Sequence, residues 1–129
     1  MTTSTQTIAY ASLPQVGADL DGGTFAGITT KPDGAHYAVF LLPEQGENLT
    51  WQQALAWADE QGGELPTRPV ASMLFANVKD KLKPEWHWTS EAYNASYAWH
   101  CDFYNSNIYD NHKSYEGCAV SVRLIPLTA

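Results

Sequence analysis

The feature that most constrains the fold is a change of hydrophobic period in the middle of the chain. Two segments with helical spacing lie there, between segments whose apolar residues alternate as they do in strands. The first helix is predicted to begin at Thr50, where Gln53 completes a capping-box pattern, and to end at Gly62–Gly63. The second is predicted to be capped by Thr67 and to end before Pro84. Two consecutive helices between strands favour an α+β domain.

The region before the helices predicts a β-hairpin. Thr24–Thr30 and His36–Pro43 are rich in β-branched, aromatic and aliphatic residues. Between them, Lys31–Gly34 carries Pro, Asp and Gly in an order typical of a tight turn. We therefore expect two paired strands, of which the second is apolar enough to lie inside a sheet.

From Trp86 onward, apolar residues alternate with period two, which predicts half-buried antiparallel strands. Trp86 and Trp88 are expected to share one face of the first of these strands. In the next strand, the inward face is predicted to consist of Tyr97, Trp99, Cys101 and Phe103, and the outward face of Ser96, Ala98, His100 and Asp102. We predict a single domain over residues 1–129, with residues 1–6 frayed.

Several motifs of the chain resemble those of the Lcl C-terminal-domain-like family, a bacterial and phage domain of unknown function. They are "GGELPTR", "WHWTSEAY", "SYAWHCDF" and "VSVRLIP", within roughly Ala38–Pro126. The sequences "TWQQALAWADEQGGELPTR" and "LFANVKDKLKPEWHW" are similar to those of short phage and prophage members. The chain departs from the family in its last strand, where members often carry more than one Arg and this chain keeps only Arg123.

This resemblance implies a C-type-lectin-like fold, with two helices packed on a twisted antiparallel sheet and a loop-rich surface near the final strands. Glu91–Tyr115 also resembles, in its composition, the variable regions of retroelement-diversified phage receptor-binding proteins, which use the same fold. That second resemblance implies a variable, ligand-binding protein.

The charge of the chain excludes some partners. Its formal net charge of −7 repels a phosphate backbone, so nucleic acid is not expected as a partner, whereas a basic partner is compatible with it. The sequence has no apolar stretch near the roughly 20 residues that a membrane-spanning helix needs, so membrane insertion is not expected. The N-terminus lacks the pattern of a secretory signal. We expect synthesis in the cytoplasm, which is compatible with a place in a virus particle.

Candidate catalytic and metal-binding groups are few. A hairpin could bring His100, Asp102, Asp110 and His112 together around a metal ion, but solvated positions on strands are the simpler interpretation. His87 and His100 are both predicted to face solvent. The calcium motifs of lectin-type domains and a Gly-x-Ser-x-Gly element are absent from the sequence. We therefore expect no metal, no cofactor and no enzymatic activity.

The two cysteines, Cys101 and Cys118, are too few for a disulfide-dense scaffold. Buried thiols are the favoured interpretation, and a bridge between neighbouring strands remains open.

The stretch Glu91–Gly117 is the best candidate for a binding surface, because it holds five of the seven Tyr and four of the six Asn of the chain. Tyr offers a large contact area with few rotatable bonds, and Asn offers adaptable hydrogen bonds, as in antibody paratopes. The candidate ligand-binding residues are Tyr93, Asn94, Tyr104, Asn105, Asn107, Tyr109, Asn111, His112 and Tyr115. The alternative is structural, since Tyr is a good strand former and Asn suits turns.

These observations favour a non-catalytic recognition module, encoded by a phage or prophage, that binds a protein or a glycan. The first alternative is a structural or assembly protein of a virion, in which the same surface packs against a second copy or a neighbour. The second is an intracellular phage accessory protein that binds a host factor.

Overall fold

The computed structural model describes residues 6–129, which form eight strands, two α-helices and two short 3-10 turns. The strands are β1 (Ile8–Ala9), β2 (Asp19–Leu20), β3 (Gly23–Thr30), β4 (His36–Leu49), β5 (Trp86–Ala92), β6 (Tyr97–Asp102), β7 (Ile108–His112) and β8 (Gly117–Thr128). The helices are α1 (Trp51–Glu60) and α2 (Arg68–Val78), and the 3-10 turns are Tyr10–Ser12 and Lys79–Lys81. Apart from Gln6, the residues predicted to fray lie outside the described part of the chain.

Seven of the strands lie side by side in the order β2, β3, β4, β8, β5, β6, β7, and β1 pairs with β8. The contacts of β8 with β1 and with β5 are parallel, and the other pairings are antiparallel. The predicted α+β class is confirmed, and the two helices pack on a large sheet that is mostly, not wholly, antiparallel. Each of the two helices contacts β8, the strand at the centre of the sheet order, either directly or through a shared core.

Both predicted helices form, and their ends have the predicted caps. The Thr50 side chain accepts a hydrogen bond from the Gln53 amide, while the Gln53 side chain accepts one from the Thr50 amide. Thr67 caps α2 in the same way, accepting from the amide of Val70. These bonds satisfy amide groups that have no partner within a helix, so each helix start is determined locally.

The predicted hairpin also forms, but its second strand is longer than expected. The Lys31–Gly34 turn closes through a bond from the Gly34 amide to the Lys31 carbonyl. Beyond it, β4 continues through Pro43 to Leu49 instead of ending at the proline. Its register against β8 shifts between Leu41 and Gln45, and such an irregularity accommodates a residue that lacks an amide hydrogen.

The central strand β8 is buried on both faces, which differs from the predicted half-burial. Ala119 packs in one core with Trp51 and Ala54 of α1. Its neighbours Val120 and Val122 pack in a second core with residues of α2. The two cores lie on opposite faces of this part of the sheet. Successive side chains of β8 therefore enter one core and then the other, and neither face of the strand meets solvent there.

Four residues of β5 and β6 differ in exposure from the prediction, and for the three buried ones the reason is the core on each face of the sheet. His87 and His100, expected at the surface, are 1% and 7% exposed. Ala98 was expected to face outward but is fully buried in the α1-side core, whereas Tyr97 was expected to face inward but is 39% exposed. Cys101 and Phe103 do lie in the α2-side core, as predicted.

The cysteines are free, buried thiols, which confirms the favoured interpretation. His87 on β5 is the register partner of both Cys101 on β6 and Cys118 on β8. The two cysteines are therefore two strands apart, roughly 9–10 Å from strand spacing alone. That separation exceeds the roughly 7 Å limit between the Cα atoms of a disulfide, which rules out the bridge.

Candidate functional site

The nine candidate residues lie at the β7 end of the sheet, in three connections and one strand. Tyr93 and Asn94 lie between β5 and β6, and Tyr115 lies between β7 and β8. The β6–β7 turn contains Tyr104, Asn105 and Asn107, and β7 itself contains Tyr109, Asn111 and His112. The stretch is therefore an ordered part of the sheet.

The register of β6 and β7 divides these residues between two faces. His112 is directly opposite Tyr97, whereas Tyr109 is opposite His100. Directly opposed residues share a face, and next neighbours along a strand lie on opposite faces. The nine residues consequently do not form one continuous surface.

The larger group of exposed aromatic side chains is a strip on the α2 side of the sheet, formed by one pair and one trio of contacting rings. We define the aromatic strip as Tyr93, Tyr97, Trp99, His112 and Tyr115. Tyr93 meets Trp99 edge-on with ring centroids 5.1 Å apart, Tyr97 meets His112 at 5.4 Å, and His112 lies 6.4 Å from Tyr115. Tyr93 and Tyr115 are each 57% exposed, so more than half of each side chain faces solvent.

One end of the aromatic strip is anchored to helix α2. The Arg68 guanidinium carbon lies 4.6 Å above the centre of the Trp99 ring, a cation–π contact. Glu91 Oε1 accepts hydrogen bonds from the Arg68 amide at 2.7 Å and from Arg68 Nε at 3.0 Å. Because the same carboxylate oxygen holds both the backbone and the side chain of Arg68, the guanidinium has a defined position over Trp99.

A smaller group lies on the opposite face. The Tyr109 ring is tilted against the His100 ring with centroids 5.6 Å apart, and the His100 centroid lies 4.8 Å from that of Trp86. Asn107 donates a 2.7 Å hydrogen bond from Nδ2 to the Tyr109 hydroxyl. This group is separated from the aromatic strip by the thickness of the sheet.

The four candidate asparagines are engaged within the chain. Asn94 Oδ1 accepts from the amides of Ser96 and Tyr97 and so closes the β5–β6 turn. Asn105 Oδ1 accepts from the Asn107 amide, and Asn111 Oδ1 accepts from the His112 amide. The side-chain oxygens of these three asparagines therefore hold turns and backbone, as the structural alternative expects for Asn.

Among residues 6–129, no strand pairs with the outer edge of β7. The Asp102 amide bonds to the Asn107 carbonyl, and the Lys113 amide bonds to the Ser96 carbonyl. In an antiparallel pair, every second residue of a strand forms such bonds with the neighbouring strand, and the residues between them point away from it. The backbone groups of Ile108, Asp110 and His112 therefore point away from β6. The His112 amide and carbonyl bond to Asn111 and Tyr115, which leaves Ile108 and Asp110 as the open part of the edge.

The buried titratable groups lie outside the aromatic strip and are held neutral. Burial lowers the pKa of His87 to about 4, although its bond to the Glu85 carbonyl opposes the shift. Burial also lowers the pKa of His100 and raises that of Cys101 to about 11.

Among residues 6–129, no three His, Cys, Asp or Glu side chains are close enough together to hold a metal ion. In this same part of the chain, no helix has the length and apolarity needed to cross a bilayer.

The structure adds three residues that the sequence analysis did not place at a site: Arg68, Tyr97 and Trp99. Tyr97 and Trp99 alternate in phase with the buried Cys101 and Phe103, so period alone assigns them to the core. Trp99 lies under Arg68, the first residue of α2, and Tyr97 lies farther along β6, past the start of the helix. The helix therefore does not cover this part of the sheet. No signal in the sequence shows how far along β6 that cover extends.

The whole sequence was also compared with known proteins. No protein-family model matches the chain. No curated protein matches it either, so a proposal about function depends on the geometry described above.

Proposed function

We propose that the chain is a non-catalytic recognition module that binds a protein or a glycan through the aromatic strip. The single observation that carries this proposal is the exposure of several aromatic side chains on one face at the end of the sheet. Tyr93, Tyr97 and Tyr115 are all more than one-third exposed, although core positions elsewhere are closely packed. Large aromatic side chains exposed together are characteristic of binding surfaces.

The order of the aromatic strip supports the same proposal. Its rings contact each other in two groups, Tyr93 with Trp99 and His112 with Tyr97 and Tyr115, and Trp99 is held by Arg68. Side chains that are already positioned lose less conformational entropy on binding, so more of the contact energy contributes to affinity. The turn-closing role of Asn94 also holds the backbone beside Tyr93.

The proposal includes a C-type-lectin-like fold of the Lcl C-terminal-domain-like type, encoded by a phage or prophage. The α+β arrangement and the quoted motifs are compatible with it. Absence of enzymatic activity remains part of the proposal.

Binding selections with the purified protein test the proposal. A glycan array and a random peptide library provide the ligands, and every hit is measured against a Tyr93→Ala/Tyr115→Ala variant. We expect loss of binding of at least about tenfold, because central aromatic residues often contribute 2 kcal/mol or more. Tyr104→Ala is the matched control, since Tyr104 is 70% exposed but lies in the β6–β7 turn outside the strip.

Thermal unfolding of each variant confirms that the fold is retained. If the hits bind the double variant as tightly as the wild type, the aromatic strip is not the recognition surface. If Tyr109→Ala alone abolishes binding, the opposite face carries recognition.

The open edge of β7 favours assembly with a second copy as the alternative function. The outward backbone groups of Ile108 and Asp110 can pair with a strand of another chain. The Ile108 amide points to the outer edge of β7, so Ile108→Pro removes a donor from that edge and leaves the hydrogen bonds between β7 and β6 in place. Light scattering tests the alternative: an oligomer that this substitution dissociates supports it, and a concentrated wild-type protein that stays monomeric contradicts it.

A further inference from the structure

A pocket of about 350 Å³ lies between the start of α2 and the strands beside it. Its apolar lining includes Val70 of α2 and Leu124 of β8, and its charged lining is formed by Glu64, Glu91 and Lys31. The volume is within the range of pockets that hold small ligands or single side chains. The pocket is adjacent to the aromatic strip, because Glu91 bonds to the Arg68 that covers Trp99.

The pocket lies at a helix N-terminus, but the helix has no free amide there for an anion. The Arg68 amide donates to Glu91, the Val70 amide donates to Thr67, and Pro69 has no amide hydrogen. The Ala71 amide donates to the Thr67 carbonyl within the helix. At these helix residues a negatively charged ligand would find no unoccupied amide, and in the pocket it would meet the carboxylates of Glu64 and Glu91 as well as the Lys31 ammonium.

Two carboxylates and one ammonium line the pocket, and Arg68 pairs with one of the carboxylates, so a cation would meet the Glu64 carboxylate and the second oxygen of Glu91. Both hydrogen bonds from Arg68 end on Glu91 Oε1, and Oε2 accepts none from residues 6–129. Glu64 is exposed, and its backbone pairs with Val122 on β8. Lys31 is the one cation in the lining, and its ammonium nitrogen makes a cation–π contact with Tyr37, 4.5 Å from the ring centre. Tyr37 itself does not line the pocket.

We propose that this pocket binds an arginine side chain of a polypeptide partner, which rests on the recognition function proposed for the neighbouring aromatic strip. The guanidinium pairs with the carboxylates of Glu64 and Glu91, for which its planar donor geometry is suited. The aliphatic stem of the arginine contacts Val70 and Leu124. The net charge of −7 attracts a basic segment to this surface. The partner is thus a polypeptide whose arginine lies next to residues that contact the aromatic strip.

The test is an NMR titration of the protein with N-acetyl-arginine methylamide. We expect saturable shifts of the amides of Thr67, Val70 and Glu91, and no such shifts with the citrulline analogue. Citrulline has the same shape but a neutral urea group, so it separates charge recognition from filling of the pocket. Equal binding of the two probes, or no pocket shift up to the solubility limit, overturns the proposal.

Charge variants provide the second part of the test. Glu64→Gln is expected to weaken binding of the arginine probe about two- to fivefold, the range of a partly exposed ion pair. Glu60→Gln is the matched control, because Glu60 is an exposed carboxylate at the end of α1 outside the pocket lining. Equal weakening by both substitutions would show that only the net charge matters and would overturn the pocket assignment.

The aromatic strip and the pocket are tested separately by the choice of probe. Tyr93→Ala/Tyr115→Ala is expected to leave binding of the small arginine probe unchanged, because neither side chain lines the pocket. Loss of selected ligands in that variant, with no arginine binding by the wild type, retains the recognition function and overturns only the pocket proposal. If the wild type binds the arginine probe but no ligand depends on the aromatic strip, the pocket proposal is retained and recognition through the strip is overturned.

Discussion

Acid is expected to destabilise the protein through His87, which lies in the α2-side interior next to Phe103. The two rings are 4.5 Å apart, and the imidazole is 1% exposed. Nδ1 donates to the Glu85 carbonyl, which leaves Nε2 as the buried lone-pair nitrogen, and this atom has no hydrogen-bond partner among the described residues. A proton on Nε2 would place an unpaired charge in an apolar environment, so burial lowers the pKa of His87 from 6.5 to about 4.

The direction and size of the effect follow from proton binding in the two states. Below pH 6.5 the unfolded chain takes up a proton at His87, whereas the folded protein does so only near pH 4. The unfolded state therefore binds more protons in this window, and the free energy of unfolding falls as the pH falls. A difference of about 2.5 pKa units corresponds to a total loss of about 3 kcal/mol, of which about 2 kcal/mol is lost by pH 5.

Urea unfolding followed by Trp fluorescence at pH 7 and pH 5 measures the effect. His87→Gln removes the titration, so the variant should lose about 2 kcal/mol less than the wild type between these pH values. The contributions of other groups, including His100, are present in both proteins and cancel in the comparison. His36→Gln, at an exposed histidine, is the control and should follow the wild type. If His87→Gln loses as much stability as the wild type, the buried His87 imidazole is not the source of the pH dependence.

Three further expectations concern stability and reactivity. Gly117→Ala should destabilise the fold by about 1–3 kcal/mol in urea unfolding, because a Cβ there would overlap the Trp86 indole ring. Thr50→Ala should cost about 1 kcal/mol by removing the cap of α1, and Thr50→Ser should restore most of it. Cys101 should resist alkylation in the folded protein at pH 8, since it is fully buried and burial raises its pKa to about 11; mass spectrometry showing rapid labelling would contradict this.

Local patterns in the sequence predicted the elements of the fold well. The caps at Thr50 and Thr67, the turn at Lys31–Gly34 and the period-two strands after Trp86 all depend on interactions within a few residues. Such interactions are encoded locally, so the α+β class and the approximate helix bounds follow from the sequence. The composition of Glu91–Gly117 predicted a candidate binding surface in this stretch, and the structure places the stretch at the β7 end of the sheet.

Only the tertiary structure decided which faces of those elements meet solvent. Period-two alternation groups Tyr97 with Cys101 and His100 with Ala98, but it contains no information about what covers either face. The two helix-side cores bury His87 and His100, while α2 starts too late to cover Tyr97 fully. Burial at a strand position depends on elements distant in sequence, which is why the aromatic strip and its contact with Arg68 emerge only from the assembled sheet.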